Sequence, residues 1–211
     1  MPNYTLRATK GSALTFTEGD NNFTASKAAS RLGTSGILTP PSGVYVCNNM
    51  IGSDAMGSAA SSVADTIILT PFQLPYDLTI DQVGFWQTST SGTTDLRVLV
   101  YSSDANQRPN SKVAETATHA TAANSNTISL SHTFNANTLY WVGTHTSGVR
   151  TFRQCREENL MPLGLDVSAQ FASTYAIVLG STAIGSAPTT WSFAASQLQR
   201  PDVINLAFRR A

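Results

Sequence analysis

Beyond Ala64 the chain is a succession of short apolar runs, broken about every eight to twelve positions by turn-forming residues. That texture predicts an antiparallel β-sandwich or barrel rather than a helical fold. In residues 127–134 the alternation is plain. Ile128, Leu130, His132 and Phe134 share one face, while Thr127, Ser129, Ser131 and Thr133 share the other, so the even-numbered set should lie inward. Leu96, Val98 and Val100 alternate in the same way with Arg97, Leu99 and Tyr101.

The pattern predicts strands over 66–73, 79–88, 95–102, 112–120, 127–134, 138–146, 175–180, 190–193 and 203–208. Ser102 to Asn110, polar and carrying Pro109, reads as an exposed hairpin loop and so as a contact surface. No repeat with a period of about 20 to 50 residues is visible, which excludes solenoids and propellers.

The first part of the chain differs. Thr15 followed by Glu18 forms a capping box, with Glu18 and Asp20 near the positive end of the helix dipole and Gly33 as a stop, so a short helix is expected over 16–32. Its apolar residues, Phe16, Phe23, Ala28 and Leu32, are too few for a self-sufficient amphipathic face. Such a helix needs a partner surface. Residues 37–63 are rich in Gly, Pro, Ser and Ala and read as a linker or extended arm. The expected organisation is an attachment segment at 1–35, a linker or arm at 36–64 and a β-sandwich domain at 65–211.

The stretch Lys10-Gly11-Ser12-Ala13-Leu14-Thr15-Phe16-Thr17-Glu18-Gly19-Asp20-Asn21-Asn22-Phe23-Thr24 resembles the N-terminal segment of tailed-bacteriophage fibre and minor structural proteins. It departs from them at Gly19, where these segments usually carry an apolar residue. The resemblance implies a virion-attachment role for Leu14, Phe16, Glu18, Asn22 and Phe23. A second stretch runs Leu78-Thr79-Ile80-Asp81-Gln82-Val83-Gly84-Phe85, then Leu96-Arg97-Val98-Leu99-Val100-Tyr101, Arg108-Pro109 and Leu139-Tyr140-Trp141-Val142. It resembles the jelly-roll-like β-sandwich modules of phage tail fibres and related carbohydrate-binding modules, and covers about a third of the chain.

Composition narrows the partners. Charged residues are only 12% of the 211, where about a quarter is usual, so the surface must consist largely of hydroxyls and amides. Thirteen basic residues balance thirteen acidic ones, which removes the electrostatic footprint of a nucleic-acid binder or of a protein held on an anionic membrane. The opening residues lack a signal-peptide pattern, and no run approaches the ~20 apolar residues of a membrane span, so no membrane insertion is expected. Cys47 and Cys155 do not amount to a disulfide framework and are expected as free, mostly buried thiols.

Little chemistry is encoded in recognisable form. His119, His132 and His145 fall at equal spacing on neighbouring expected strands, which invites a metal site, but His132 points inward while the other two end their strands among small polar residues. Satisfied or solvated imidazoles are the simpler account. The carboxylates Asp95, Glu115, Glu157, Glu158 and Asp166 show no spacing that selects a glycosidase pair. The mixed-charge run from Arg150 to Glu158 is better explained by ion pairing than by catalysis. No nucleophile elbow, phosphate loop or Cys-x-x-Cys occurs.

Aromatic residues offer the alternative chemistry, because exposed rings stack on sugar faces and buried ones fill cores. Trp141, between Tyr140 and Val142, reads as core; Trp191, after Ala187-Pro188-Thr189-Thr190, reads as the Trp nearest a surface; the pattern leaves Trp86 undecided. Together these readings imply a non-enzymatic virion structural protein without cofactors, assembled in the host cytoplasm and expected to be trimeric. It would dock on other virion proteins through its N-terminal segment and display a sandwich for host-surface glycan, with Asn106, Arg108 and Trp191 as receptor contacts. A capsid-decoration protein and a small polysaccharide depolymerase are the alternatives.

Overall fold

The alternation along the chain becomes two antiparallel sheets whose inner faces share one core. The computed structural model describes residues 40–47, 60–89, 93–155, 176–180, 182–199 and 203–211, all belonging to one unit from Pro40 to Ala211. In chain order its strands are β1 (Tyr45–Cys47), β2 (Ala60–Ser61), β3 (Thr66–Phe72), β4 (Leu78–Gln87), β5 (Asp95–Ser103), β6 (Pro109–Glu115), β7 (His119–Ala120) and β8 (Asn124–Phe134). They continue with β9 (Tyr140–Thr146), β10 (Thr151–Phe152), β11 (Gln154–Cys155), β12 (Ala176–Leu179), β13 (Leu198–Gln199), β14 (Val203–Ile204) and β15 (Ala207–Arg210). A single 3-10 turn, Ala195–Gln197, is the helical exception among the described residues, and none of these residues belongs to a helix able to cross a membrane.

A six-stranded sheet runs β1-β15-β4-β10-β2, with β8 also paired to β4, and a seven-stranded sheet runs β13-β12-β3-β9-β5-β6, with β7 paired to β5. Strands β11 and β14 form a separate two-stranded ladder. The central pairings are long: β4 lies against β8 from Leu78↔Phe134 to Gln87↔Asn124, and β3 against β9 from Thr66↔Thr146 to Phe72↔Tyr140. Such long antiparallel ladders satisfy the backbone of strands whose side chains alternate in and out.

Leu78, Ile80, Val83 and Phe85 of β4, Ile128, Leu130 and Phe134 of β8 and Phe208 of β15 meet Phe72 of β3, Leu96, Val98 and Val100 of β5 and Val142 of β9 in one buried cluster. Phe72, Phe134 and Phe208 contact one another with ring centroids 4.9, 5.3 and 5.4 Å apart. The even-numbered residues Ile128, Leu130 and Phe134 of β8 are buried, as their alternation predicts.

The seven-stranded sheet is covered on both faces. Ile67, Leu69, Leu99, Tyr101 and Trp141 point away from the first core and are buried beneath Ala187 and Trp191, with Phe193 alongside. That double cover explains why Val98, Leu99, Val100 and Tyr101 of β5 are all fully buried in succession. On β9, Gly143 lies so close to β3 that a Cβ would overlap the Ile68 carbonyl. Only glycine allows this approach.

Several boundaries differ from the sequence reading: the strand expected over 112–120 is divided into β6 and β7, and that over 203–208 into β14 and β15 of separate sheets. Strands β1 and β2 lie within the expected linker, β1 pairing Tyr45↔Arg209 and Cys47↔Ala207, so the sheet recruits residues from before position 65. A strand of two or three residues paired with a distant segment leaves no periodic signal. The strand expected at 190–193 is absent, and Thr190 makes only an isolated bridge to Ser111. The helix expected over 16–32 lies outside the described residues.

Candidate functional site

Strand β4 changes phase midway, and this creates the site. Leu78 and Ile80 point into the core, but the register slips between Ile80 and Gln82 against β8, and on the other side between Arg209 and Arg210 of β15. After the slip Val83 and Phe85 point inward, so Gln82, Gly84 and Trp86 share the outer face. Trp86 is 43% exposed on that face and Tyr45 of β1 is 41% exposed. Between them Gly84 has no side chain, and a Cβ there would sit 3.4 Å from Tyr45 Cε1. The tyrosine ring therefore lies over a glycine floor, its hydroxyl donating to Gln82 Oε1 at 2.7 Å.

The result is a groove of about 710 Å3 along the outer face of the six-stranded sheet, with Gly84, Ala207 and Cys47 lining it beside Tyr45 and Trp86, and Ser125, Thr127, Arg153 and Asn205 supplying its polar groups. The volume falls within the range of small-ligand sites. No Asp or Glu is among the described residues that line it. Beneath the rim, the Asn126 carboxamide accepts from the Ala122 N–H and donates to the Ala122 and Asn124 carbonyls, fixing the turn into β8.

Arg153 reaches the groove because Phe152, paired with Gln87, points into the core, and the next residue of an extended chain must point out. Its backbone is held on both sides, with the Arg153 N–H donating to the Trp86 carbonyl and the Asn205 N–H to the Arg153 carbonyl, each at 2.9 Å. Its guanidinium has no ion-pair partner among the described residues. Arg209, beside Tyr45 on the same face, is instead neutralised by a two-pronged pair with Asp81 at 2.8 and 2.7 Å. Hydrogen bonds from Arg209 hold the Asp81 carboxyl below its ordinary range. Burial raises the Cys47 thiol above its usual value against a hydrogen bond from Asn205, so this free cysteine is a poor nucleophile.

The residues singled out from the sequence are placed differently. Leu14, Phe16, Glu18, Asn22 and Phe23 lie outside the described residues. Asn106 and Arg108 are exposed on the β5–β6 loop, where the Asn106 and Arg108 N–H groups both donate to Asp104 Oδ1 at 2.8 Å and Gln107 takes a φ of 62°. Arg108 lies 4.9 Å over the Phe193 ring. Trp191 is near this loop but is not a surface ring. It is buried, edge-on to Tyr101 at 5.3 Å, with its indole N–H donating to Gln197 Oε1 at 3.1 Å. The segment after Ala187 crosses a sheet face instead of ending in a free loop, so its tryptophan is covered. Among the described residues the exposed aromatics are Trp86 and Tyr45, and the sequence pattern missed them because a register slip decides one and a three-residue strand the other.

The three histidines occupy separate environments. His119 Nε2 meets Asn126 Oδ1 at 3.3 Å and His145 Nε2 meets the Thr182 carbonyl at 2.7 Å, while His132 is wedged between Phe134 and Tyr140 with ring centroids 4.8 and 5.3 Å away. No group of three metal-ligating side chains occurs among the described residues. Of the mixed-charge run, Arg150 and Arg153 are described, Glu157 and Glu158 are not, and the Arg150 Nε is buried without a partner among the described residues. Glu115 does pair, with Arg97 at 2.9 Å and Lys112 at 2.6 Å. No protein-family model matches the chain, and no curated protein sequence matches it.

Proposed function

We propose that this chain is a non-catalytic binding protein whose β-sandwich takes carbohydrate in the groove on the outer face of its six-stranded sheet. The observation that supports this reading is the pair of half-exposed rings, Tyr45 and Trp86, set either side of the Gly84 floor. Exposed aromatic rings are costly to leave in water and offer flat apolar faces to the C–H side of a sugar, while Ser125, Thr127 and Asn205 can exchange hydrogen bonds with its hydroxyls. A depolymerase would need a carboxylate pair, and this groove has none among its described lining residues.

The larger setting comes from the sequence resemblance. The protein is a tailed-phage virion component, most simply a fibre-like adhesin, docked by the segment within residues 1–35 and displaying a jelly-roll-like sandwich to a host-surface glycan. Trimerisation and many copies per particle would convert weak single contacts into firm attachment through effective concentration.

Glycan-array screening followed by calorimetry on the best hit tests the groove. Trp86→Ala and Tyr45→Ala should each weaken binding by about tenfold or more, the ~1.4 kcal/mol expected when one stacking surface is lost, and their melting curves should stay close to the parent's because both rings are exposed. Unaltered binding in both variants would overturn the assignment.

A further inference from the structure

The outer face of the six-stranded sheet carries two guanidinium groups near the groove, and they differ in one respect. Arg209 is matched by Asp81 in a two-pronged ion pair, whereas Arg153 faces no carboxylate among the described residues, and no acidic side chain is among the described residues that line its groove. Its backbone is clamped between Trp86 and Asn205, which fixes where the side chain starts, and its guanidinium makes no ion pair among the described residues. An uncommitted cation beside a stacking ring, on a protein with few charges, is a selectivity element.

We propose that the groove selects carboxylate-bearing sugars, such as uronic or sialic acid units, with Arg153 receiving the carboxylate through its two-donor fork and Trp86 stacking under the same ring. This rests on the carbohydrate-binding reading above. A guanidinium matches a planar carboxylate in a way that an ammonium does not, and the charge-assisted pair strengthens as the sugar excludes water from Arg153. Ser125 and Thr127 stand across β4 from Arg153, on the neighbouring β8, where they can take the hydroxyls of that sugar or of the next unit.

The test is calorimetric titration of the full chain with oligogalacturonate, with oligosialic acid, and with the same oligogalacturonate after its carboxyls have been reduced to neutral alcohols. Dextran sulfate serves as a measure of plain charge attraction. The acidic oligomer is expected to bind at least about tenfold tighter than its reduced form, Arg153→Gln to abolish that difference, and Arg153→Lys to restore only part of it because the fork is lost. Melting curves establish that each variant is folded.

Equal affinity for acidic and reduced oligomers, an acidic preference that survives Arg153→Gln, or dextran sulfate binding as tightly as the uronate would each overturn the proposal. Equal binding of the acidic and the reduced oligomer, lost for both in Trp86→Ala and unaffected for both by Arg153→Gln, would sink the acidic selectivity and leave the stacking site standing. Failure of every oligomer to bind would overturn both readings.

Discussion

Single positions on this molecule act through where the pleat sends them. Trp86 would share the inward face of Leu78 and Ile80 if β4 alternated without interruption; the slip before Gln82 turns it to solvent and turns Phe85 in. His132 shows the opposite case, a titratable ring kept on the apolar side of β8 against Phe134 and Tyr140, with its Nε2 unpartnered among the described residues. Burial lowers its pKa below the ordinary 6.5. On unfolding, His132 regains that ordinary value, so between the two values the unfolded chain binds more protons. Stability is therefore full above about pH 6.5 and falls as acid carries the protein through that window, levelling off below the folded value. Thermal unfolding followed by circular dichroism from pH 7.5 to 5 should show this decline, and His132→Gln, which cannot charge, should flatten it. An equal decline in the variant would assign the effect elsewhere. Glu115 is distinguishable because burial raises its carboxyl but the Lys112 and Arg97 bonds outweigh this and hold it below 4.5, so its contribution is lost only in stronger acid.

At the scale of elements, the strands were the legible part of the sequence and their covering was not. Residues 124–134 form a strand where period-2 alternation, a local signal, places one, whereas 66–72, 95–103 and 140–146 form strands as short apolar runs largely buried on both faces. What lies over a strand's second face is a long-range fact. The segment from Thr182 to Gln197 closes the outer face of the seven-stranded sheet through Trp191, whose N–H donates to the Asn110 carbonyl at 2.6 Å, and through Pro188, whose carbonyl accepts from the Tyr101 hydroxyl at 2.7 Å. Nothing periodic in Ala187-Pro188-Thr189-Thr190-Trp191 announces this, which is why its tryptophan reads as a surface ring. The two placements predict different outcomes. A surface Trp191 could be cut to alanine with little loss, whereas the buried one should cost about 3–5 kcal/mol, and chemical denaturation of Trp191→Ala measures which. The same variant should leave glycan affinity unchanged in whatever fraction remains folded, since the groove lies on the other sheet.

On the scale of the whole molecule the question is which part of the chain the groove and the sandwich need. The described domain begins where the backbone starts to pair with its own C-terminal strand: the Gly43 N–H donates to the Arg210 carbonyl at 2.8 Å, the Arg210 guanidinium bonds the Pro40 carbonyl, and β1 follows at Tyr45. Attachment is assigned to residues before this point and binding to residues after it, so two truncations separate the functions. Removing residues 1–39 should leave a folded domain with the parent's melting temperature to within a few degrees and its full glycan affinity, and the same deletion should abolish incorporation into particles. Removing residues 1–47 should also take away β1, and with it Tyr45 and Cys47, so the groove loses one wall and binding drops although most of the sandwich core remains. Particle incorporation of the shorter deletion at parental copy number would refute the assignment of docking to the opening segment. Retained glycan binding in the longer one would show that the groove does not depend on β1 and that Trp86 alone carries the contact.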